Sequence, residues 1–315
     1  MRIRLVKSVP VLLILILCML FLGGCGDGTW EKHIVKEEFF LPELDEEYDL
    51  LFLTDSHVIV TSDKDTQQET ASAEKRKGQF VNEEGVCSAE QFTDWITYAD
   101  AMQPDAVLLG GDIIDSPSEG NVEFLKKELG RLKMPYLYVP GNHDWTYEWD
   151  YMTEHAKEEY LSRLKPFMND NPGLQKLDIG EIRIIAVDNS SNQVVEGILE
   201  EYEELLQTEK RVIVMLHVPL LTQSVLKHAK EVWNSPVVLG GGNYGGIYPD
   251  ETSQKFLELT TAGKSPVELV LAGHVHFYDK DYIEGEKKVL QIVNGAGYKG
   301  WGMHLHLSGK QQAEQ

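Results

Sequence analysis

Five separate segments of this sequence carry side chains of the types that can bind transition metals. These side chains are Asp55 with His57, Asp112, Asn142, His217, and His274 with His276. Imidazole, carboxylate and amide ligands together suit zinc, iron or manganese, whereas calcium prefers a site made of oxygen ligands alone. A carboxylate can also bridge two cations, which a neutral imidazole cannot do. These residue types therefore predict a transition-metal site, provided that the fold brings the five segments together.

Each of these segments follows a short apolar run, which indicates a buried strand. In the clearest case Ala106–Leu109 is followed by two glycines, which let the chain turn sharply, and then by Asp112. The corresponding runs elsewhere are residues 51–54, 136–140, 212–216 and 269–272. Because ligands of open α/β sheets bind beyond the carboxyl ends of the strands, we expect the five segments to meet at one edge of the fold.

The stretches between these strands show helical periodicity. Apolar residues recur every three or four positions in 88–102, 122–132 and 198–206, and residues 148–167 and 252–261 also read as helices. Strands that alternate with helices indicate an α/β domain, which we place at residues 48–309.

Taken in order, the five segments resemble the motifs of the calcineurin-like metallophosphoesterases. The matching stretches are Asp55-x-His57, Gly111-Asp112, Gly141-Asn142-His143-Asp144, His217 and Gly273-His274-x-His276. The resemblance covers residues 48–309 and implies a four-layer α/β sandwich, in which two mixed β-sheets are flanked by helices. It also implies a centre with two metal ions at the strand ends.

The resemblance divides the seven ligands between the two ions. One ion is assigned to Asp55, His57 and His276, the other to Asn142, His217 and His274, and Asp112 bridges both. The expected cofactors are divalent or trivalent ions of manganese, iron or zinc. Two ions about 3.5–4 Å apart clamp the attacking and leaving oxygens of an in-line displacement and lower the pKa of a shared water toward about 7. That water supplies hydroxide as the nucleophile, so we expect hydrolysis of a phosphate ester.

Three further residues are expected near the substrate. The resemblance implies that His143 acts as an acid or stabilises the transition state, because it is the motif residue without a metal. Asp115 matches the position that pairs with this histidine in related protein phosphatases, where it would fix the tautomer of the ring; alternatively, it caps the local turn. Trp145 either forms an aromatic wall that stacks a base or sugar of the substrate, or packs on the domain.

Two other functions fit the same residues. One is phosphodiester hydrolysis of cyclic or small nucleotides, and the other is a non-catalytic, metal-binding scaffold at the cell surface. An inactive descendant is expected to lack a ligand or His143, and all of these residues are present. The formal net charge of -22 disfavours long nucleic acid as a partner, because neutralised phosphates supply most of that affinity. We therefore expect a small phosphorylated substrate; the sequence does not indicate an oligomeric state.

Two segments that follow strand ends have no assigned chemistry. Residues Thr61–Val86 are polar and rich in Lys, Glu, Gln and Ser, and Gly240–Gly246 is the most glycine-rich stretch. We read the first as a flexible surface loop, or alternatively as a lid whose Lys75-Arg76-Lys77 reaches a phosphate. The second lacks the Lys-Ser/Thr pair of a phosphate-cradling loop and is read as a mobile loop near the site.

The first 24 residues read as a lipoprotein signal peptide. Arg2, Arg4 and Lys7 precede the apolar run Val9–Leu22, and a Leu-Gly-Gly-Cys sequence ends it at Cys25. This ending resembles the bacterial lipobox and implies cleavage before Cys25 and lipidation of its thiol. We therefore expect an exported protein, anchored on the extracytoplasmic face of the membrane, with a tether at residues 25–47 and a polar tail at 310–315.

Overall fold

The computed structural model describes residues 30–42, 44–150, 152–242 and 245–310. The signal peptide predicted at residues 1–24 and the lipidation site predicted at Cys25 lie outside these residues, as do residues 311–315 of the predicted tail. Among the helices of the described residues, none combines the length and the apolar character needed to cross a bilayer.

The described residues form seven α-helices and thirteen β-strands. The helices are α1 (Gln67–Arg76), α2 (Ser88–Met102), α3 (Glu119–Leu129), α4 (Glu154–Leu161), α5 (Leu199–Leu206), α6 (Gln223–Val232) and α7 (Glu251–Thr260). The strands are β1 (His33–Phe40), β2 (Tyr48–Leu53), β3 (Ala106–Leu109), β4 (Tyr136–Tyr138), β5 (Leu174–Ile179), β6 (Ile182–Val187), β7 (Arg211–Met215), β8 (Val238–Leu239), β9 (Gly246–Ile247), β10 (Val267–Ala272), β11 (Asp279–Ile283), β12 (Val289–Val293) and β13 (Trp301–Ser308).

Most of these strands belong to two mixed sheets. The first has the order β1-β13-β2-β3-β4, with β13 antiparallel to β2 and the other pairs parallel. The second has the order β11-β12-β10-β7-β6-β5, and only its outer pairs, β11 with β12 and β5 with β6, are antiparallel. Strands β8 and β9 form a separate short pair.

The two sheets pack face to face because successive strand residues point to opposite faces. In β2, Leu50 and Phe52 lie in the core between the sheets, whereas Leu51 and Leu53 pack with Trp95 of α2 on the outer face. Helices α5 and α7 cover the outer face of the second sheet in the same way. The predicted four-layer α/β sandwich is therefore confirmed.

The folded domain begins before residue 48, so the prediction of a tether over residues 25–47 is wrong in part. Residues His33–Phe40 form β1, which pairs in parallel with β13 along its whole length. This edge strand carries Lys36, Glu37 and Glu38, and none of its residues is fully buried. Its composition therefore looks like that of a linker, although charged edge strands are a common way to prevent pairing with other chains.

The segment Thr61–Val86 is not a flexible loop, which corrects the first reading of it. It contains α1, whose start is capped reciprocally: Thr66 accepts a hydrogen bond from the Glu69 N–H, and the Glu69 carboxylate accepts one from the Thr66 N–H. No residue of α1 is buried, so the hydrophobic period that marks a helix in a sequence is absent. The helix predicted at residues 148–167 is also shorter, because its α-helical part is Glu154–Leu161.

The strand ends of both sheets meet at one edge, as the sequence predicts. Strands β2, β3 and β4 of the first sheet and β7 and β10 of the second each lead into one of the five motif segments. Backbone hydrogen bonds join these segments: the N–H of Asp55 donates to Gly111 (2.9 Å), and the N–H of Gly273 donates to His217 (3.0 Å). The predicted ligands are thus delivered to one place from both sheets.

Candidate metal centre

Most of the predicted ligands have an unusual backbone conformation. The angle φ is positive at Asp55 (52°), His57 (44°), Asp112 (50°), His274 (70°) and His276 (60°), a region that side-chain-bearing residues rarely adopt. Such strain persists only where the surrounding structure enforces it, and it concentrates at functional sites. Here it turns the chain immediately after each strand, so that side chains from neighbouring loops point at one another.

Two of the motif glycines are required by close approach of the ligands. A Cβ on Gly141 would lie 2.2 Å from both the backbone nitrogen and Oδ1 of Asp112. A Cβ on Gly273 would lie 2.0 Å from Oγ1 of Thr54 and 2.4 Å from Oδ2 of Asp55. The glycines therefore leave room for two acidic ligands at the strand ends.

The first group of converging side chains is Asp55, His57 and His276. Nε2 of His57 lies 3.2 Å from Nε2 of His276, which in turn lies 3.3 Å from Oδ1 of Asp55. Asp55 and His57 are buried, and their ligand atoms lie close enough to those of His276 to surround a single cation. The structure thus brings together the residues predicted for one metal.

The second group contains Asp112, His217 and His274, and the further predicted ligand Asn142 lies on the loop after β4. Nε2 of His217 lies 3.1 Å from Oδ2 of Asp112 and 3.2 Å from Nδ1 of His274. Oδ1 of Asn142 is buried and has no hydrogen-bond partner among the described residues. A buried oxygen without a partner is costly unless an ion or a water molecule binds it, so the Asn142 oxygen fits a metal ligand.

Asp112 faces both groups. Its Oδ2 lies 3.1 Å from Nε2 of His217 in the second group and 3.8 Å from Nε2 of His57 in the first. This position between the two groups is what a bridging carboxylate requires.

Two of the imidazoles are oriented by hydrogen bonds from Nδ1, the ring nitrogen that faces away from the centre. Nδ1 of His217 lies 2.9 Å from the carbonyl of Gly110, and Nδ1 of His57 lies 3.4 Å from Oδ1 of Asp115. In each ring Nδ1 is thus placed to donate to an oxygen, and Nε2 faces the centre. Metal-binding histidines are commonly held by such partners.

Burial and the neighbouring charges set the protonation of these groups. Burial, together with neighbouring imidazoles, lowers the pKa of His57 to about 4 and that of His274 to about 3, so both rings are neutral near pH 7. Burial also lowers the pKa of His217, but the charge of Asp112 outweighs it and raises the pKa to about 10. The pKa of Asp112 is well below its usual range, because His217 and His143 outweigh the raising effect of burial. A cation would displace the His217 proton, since metal ligands must be deprotonated.

His143 lies at the open side of the centre and is paired with Asp115. Its Nδ1 is 3.1 Å from Oδ1 of Asp115, and 31% of its side chain is exposed. Burial lowers the pKa of His143, but Asp112 and Asp115 outweigh this and raise it overall. The Asp115 carboxylate contacts His143, His57 and Arg76, so its place is in the site, as the pairing hypothesis requires, and not in a cap of the local turn.

Trp145 does not form a substrate wall, and that prediction is wrong. Its side chain is 1% exposed, and its Nε1 donates to Oγ of Ser190 at 2.8 Å. The ring packs in the core between the first sheet and α4, which is the alternative that the sequence left open. Trp149, a nearby aromatic residue, is exposed instead and stacks on Tyr147 with ring centres 4.5 Å apart.

Asp144 is a structural residue of the site whose role the sequence did not reveal. Its buried carboxylate accepts hydrogen bonds from the N–H groups of Asp112 (2.9 Å), Ile114 (3.1 Å) and Gly141 (2.7 Å) and from the hydroxyl of Tyr138 (2.7 Å). It therefore ties the loop after β3 to the loop after β4. Its position next to His143 in the motif was the available signal.

The segment between β2 and α2 also reaches the centre. The ring of Phe80 stacks on that of His57 with centres 4.4 Å apart, and Tyr298 meets both of these rings edge-on. Arg76 donates from Nε and Nη2 to the two carboxylate oxygens of Asp115. These contacts hold a predicted ligand and the partner of His143, and only Arg76 had been singled out in the sequence.

Comparison with known proteins agrees with the geometry. The family model described as "Calcineurin-like phosphoesterase" matches residues 48–278. A protein of Helicobacter pylori, named an uncharacterized metallophosphoesterase, is 26% identical over 294 residues, which are 91% of this chain and 64% of that protein. The chain thus spans slightly less than two thirds of this relative.

Two further similarities are more limited. A glycerophosphodiester phosphodiesterase of Enterobacter lignolyticus is 30% identical over 90 residues, 28% of this chain and 30% of that protein. The purple acid phosphatase PPD1 from yellow lupin seeds has a similar structure, with a TM-score of 0.51 and 13% identity over 82% of this chain and 45% of that one. The second similarity concerns the fold alone.

Proposed function

Because the chain belongs to the calcineurin-like phosphoesterase family, we propose that it hydrolyses a phosphate ester with two transition-metal ions bound at the strand ends. The observation that carries this proposal is the meeting of two ligand groups, one around His57 and one around His217, on either side of Asp112.

The residues present fit two metal ions. Asp55, His57 and His276 would hold one, and Asn142, His217 and His274 would hold the other, with Asp112 between them. The partnerless oxygen of Asn142 and the facing nitrogens of paired imidazoles are the features that a cation would satisfy. When bound, such ions act as Lewis acids on the phosphoryl group and generate a nucleophile from water at neutral pH.

The side chains of the protein bind and orient the substrate around this centre. Asp115 accepts a hydrogen bond from Nδ1–H of His143, so the proton that His143 can transfer to a substrate is on Nε2. His143 and Asn142 line a cavity of 240 Å³. We assign to His143 Nε2 the donation of a proton to the leaving oxygen, and to Phe80 the exclusion of water from the outer face of His57.

A second candidate function is hydrolysis of a phosphodiester, which includes the cyclic or small nucleotides considered above. A cavity of 880 Å³ is lined by Trp233, whose ring centre lies 5.5 Å from that of His276, whereas the 240 Å³ cavity adjoins Asn142. We assign one substituent of a diester to the cavity beside Asn142 and the other to the cavity that reaches His276 through Trp233. The Enterobacter relative is named a glycerophosphodiester phosphodiesterase, which supports a phosphodiester substrate.

The deciding experiment pairs metal analysis with turnover of an aryl phosphate monoester and the matched bis-aryl diester. We expect the metal-loaded protein to hydrolyse at least one of them, and chelation to abolish this. A preference for the diester would favour the second candidate. A protein that holds both metals but hydrolyses neither monoesters nor diesters, whether their leaving groups are aryl or alkyl, would contradict both candidate functions. It would identify a metal-binding scaffold.

We also propose that the protein is exported and anchored to the membrane by a lipid on Cys25. The support is in the sequence, where three basic residues, the apolar run Val9–Leu22 and Leu-Gly-Gly-Cys occur in order. Cys25→Ser is expected to release the protein from the membrane or to leave the precursor uncleaved. Unchanged partitioning of that variant into detergent would contradict lipidation.

A further inference from the structure

Helix α1 places a cation beside His143. Arg76 is the last residue of α1. No residue of this helix is fully buried, but most of the Arg76 side chain is covered, with 21% exposed. It lines the 240 Å³ cavity together with Asn142, His143 and Asp115. The helix thus directs one long side chain from the surface into the site.

The hydrogen bonds of Arg76 leave part of its guanidinium available. Nη2 donates to Oδ1 of Asp115 at 2.7 Å, and Nε donates to Oδ2. A guanidinium has five N–H donors, and the described residues provide no other hydrogen-bond acceptor for the remaining three. The side chain is also held against the ring of Phe80, with Cζ 5.3 Å from the ring centre. Arg76 is therefore fixed in place, and three of its donors have no acceptor among the described residues.

These donors lie close to the predicted position of the phosphoryl group. Nη2 of Arg76 and Nδ1 of His143 share one acceptor, Oδ1 of Asp115, at 2.7 Å and 3.1 Å, so the two nitrogens lie within about 6 Å of each other. Asn142, a candidate metal ligand, borders the same cavity. An anion bound to a metal ion at Asn142 would therefore share this cavity with the guanidinium of Arg76 and the imidazole of His143.

The surroundings of this cavity are acidic. The chain has a formal net charge of -22, and the cavity lining includes the acidic residues Asp115 and Glu148. Among the described residues that line this cavity, Arg76 is the only lysine or arginine. Arginine suits this position because its planar fork can bind two acceptors at once and remains charged.

We propose that Arg76 contacts the substrate, donating to a phosphoryl oxygen while it holds Asp115. This inference rests on the proposed function, since the anion is the phosphoryl group of that ester. The competing account is that Arg76 only positions Asp115, and through it the ring of His143.

The test measures binding of inorganic phosphate by calorimetry to the metal-loaded protein, so that it does not depend on turnover. Arg76→Gln is compared with Lys77→Gln, which removes the same charge one residue later; Lys77 is 46% exposed and pairs with Glu74 on the surface. We expect Arg76→Gln to weaken phosphate binding about 10- to 100-fold, as for loss of a charge-assisted hydrogen bond, and Lys77→Gln to change it by less than about threefold. Arg76→Lys is expected to fall between wild type and Arg76→Gln, because it keeps the charge and loses the fork.

The double variant separates contact from positioning. If Arg76 acts only through Asp115, Arg76→Gln adds nothing in an Asp115→Asn background; if it contacts phosphate, most of the loss remains. Unchanged phosphate binding in Arg76→Gln, loss of metal from that variant, or no phosphate binding by the metal-loaded wild type would each overturn the inference. If the metal-loaded protein instead binds phosphate in an Arg76-dependent way and hydrolyses no ester, that result would contradict the proposed hydrolysis but support the contact between Arg76 and phosphate.

Discussion

A methyl group added at Gly141 is expected to lower the metal content of the centre without unfolding the protein. The Cβ of Gly141→Ala would lie 2.2 Å from the nitrogen and Oδ1 of Asp112 and 2.7 Å from its Cγ. Because Asp112 faces both ligand groups, any displacement of its carboxylate affects both predicted metals. The variant thus perturbs the bridging position without changing a ligand.

The size of the effect follows from the required movement. Cβ atoms essentially never approach other heavy atoms closer than 3.0 Å. The distance from the added Cβ to the nitrogen and Oδ1 of Asp112 is 2.2 Å, so Asp112 must move by about 0.8 Å. Metal–ligand distances tolerate only about 0.2 Å, and a misplacement of about 1 Å at a catalytic site can cost about 10²-fold in rate. Overpacking of this kind costs about 1–3 kcal/mol in the free energy of unfolding, which a domain of this size tolerates.

The assay combines elemental analysis, thermal unfolding and kcat/KM. Gly78→Ala is the matched control, because its Cβ would meet no atom within 4 Å, and it is expected to behave as wild type. Gly141→Ala is expected to remain folded, to hold substoichiometric metal and to lose about 10²-fold or more in kcat/KM. A folded Gly141→Ala protein with full metal content and kcat/KM within about threefold of wild type would refute the reasoning.

Three further predictions test the roles of individual features. His143→Gln is expected to keep both metals and lose about 10²–10⁴-fold in kcat on alkyl esters, and less on aryl esters, whose leaving groups need less protonation; an equal loss on both would remove the acid role. Trp145→Ala is expected to lower the free energy of unfolding by about 3–5 kcal/mol in denaturant titration, because the ring is buried. If KM rose instead with stability unchanged, Trp145 would contact the substrate. Removal of metal by a chelator is expected to lower Tm, since a ligand that binds only the native state stabilises it; an unchanged Tm would mean that no metal had been bound.

The ligand loops could be predicted from the sequence because each has a strong local signal. A run such as Ala106–Leu109 is buried on both faces, and the following Gly-Asp marks the turn at the strand end. Parallel strands of one sheet expose these turns at one edge, so residues far apart in sequence, such as His57 and Asp112, could be placed together from the sequence. The approach of His217 from the second sheet was implied only by the family resemblance.

The missed features lack such a signal. Helix α1 buries no residue, and β1 is a charged edge strand, so neither shows the hydrophobic period on which sequence interpretation depends. The orientation of Trp145 cannot be predicted from the sequence either, because an aromatic residue after a strand end can face the core or the cleft. The pairing of Arg76 with Asp115 joins residues 39 positions apart and depends on how α1 folds back over the site.

The most direct test of the account is the number of metal ions per chain in the purified wild type, Asp112→Asn and His276→Gln. Asp112 lies between the two ligand groups, whereas His276 belongs to one of them. We expect two ions in the wild type, a loss at both positions in Asp112→Asn, and a loss at one position in His276→Gln. A wild-type protein without metal that remains active in chelator, or an Asp112→Asn protein that keeps both ions, would contradict the account.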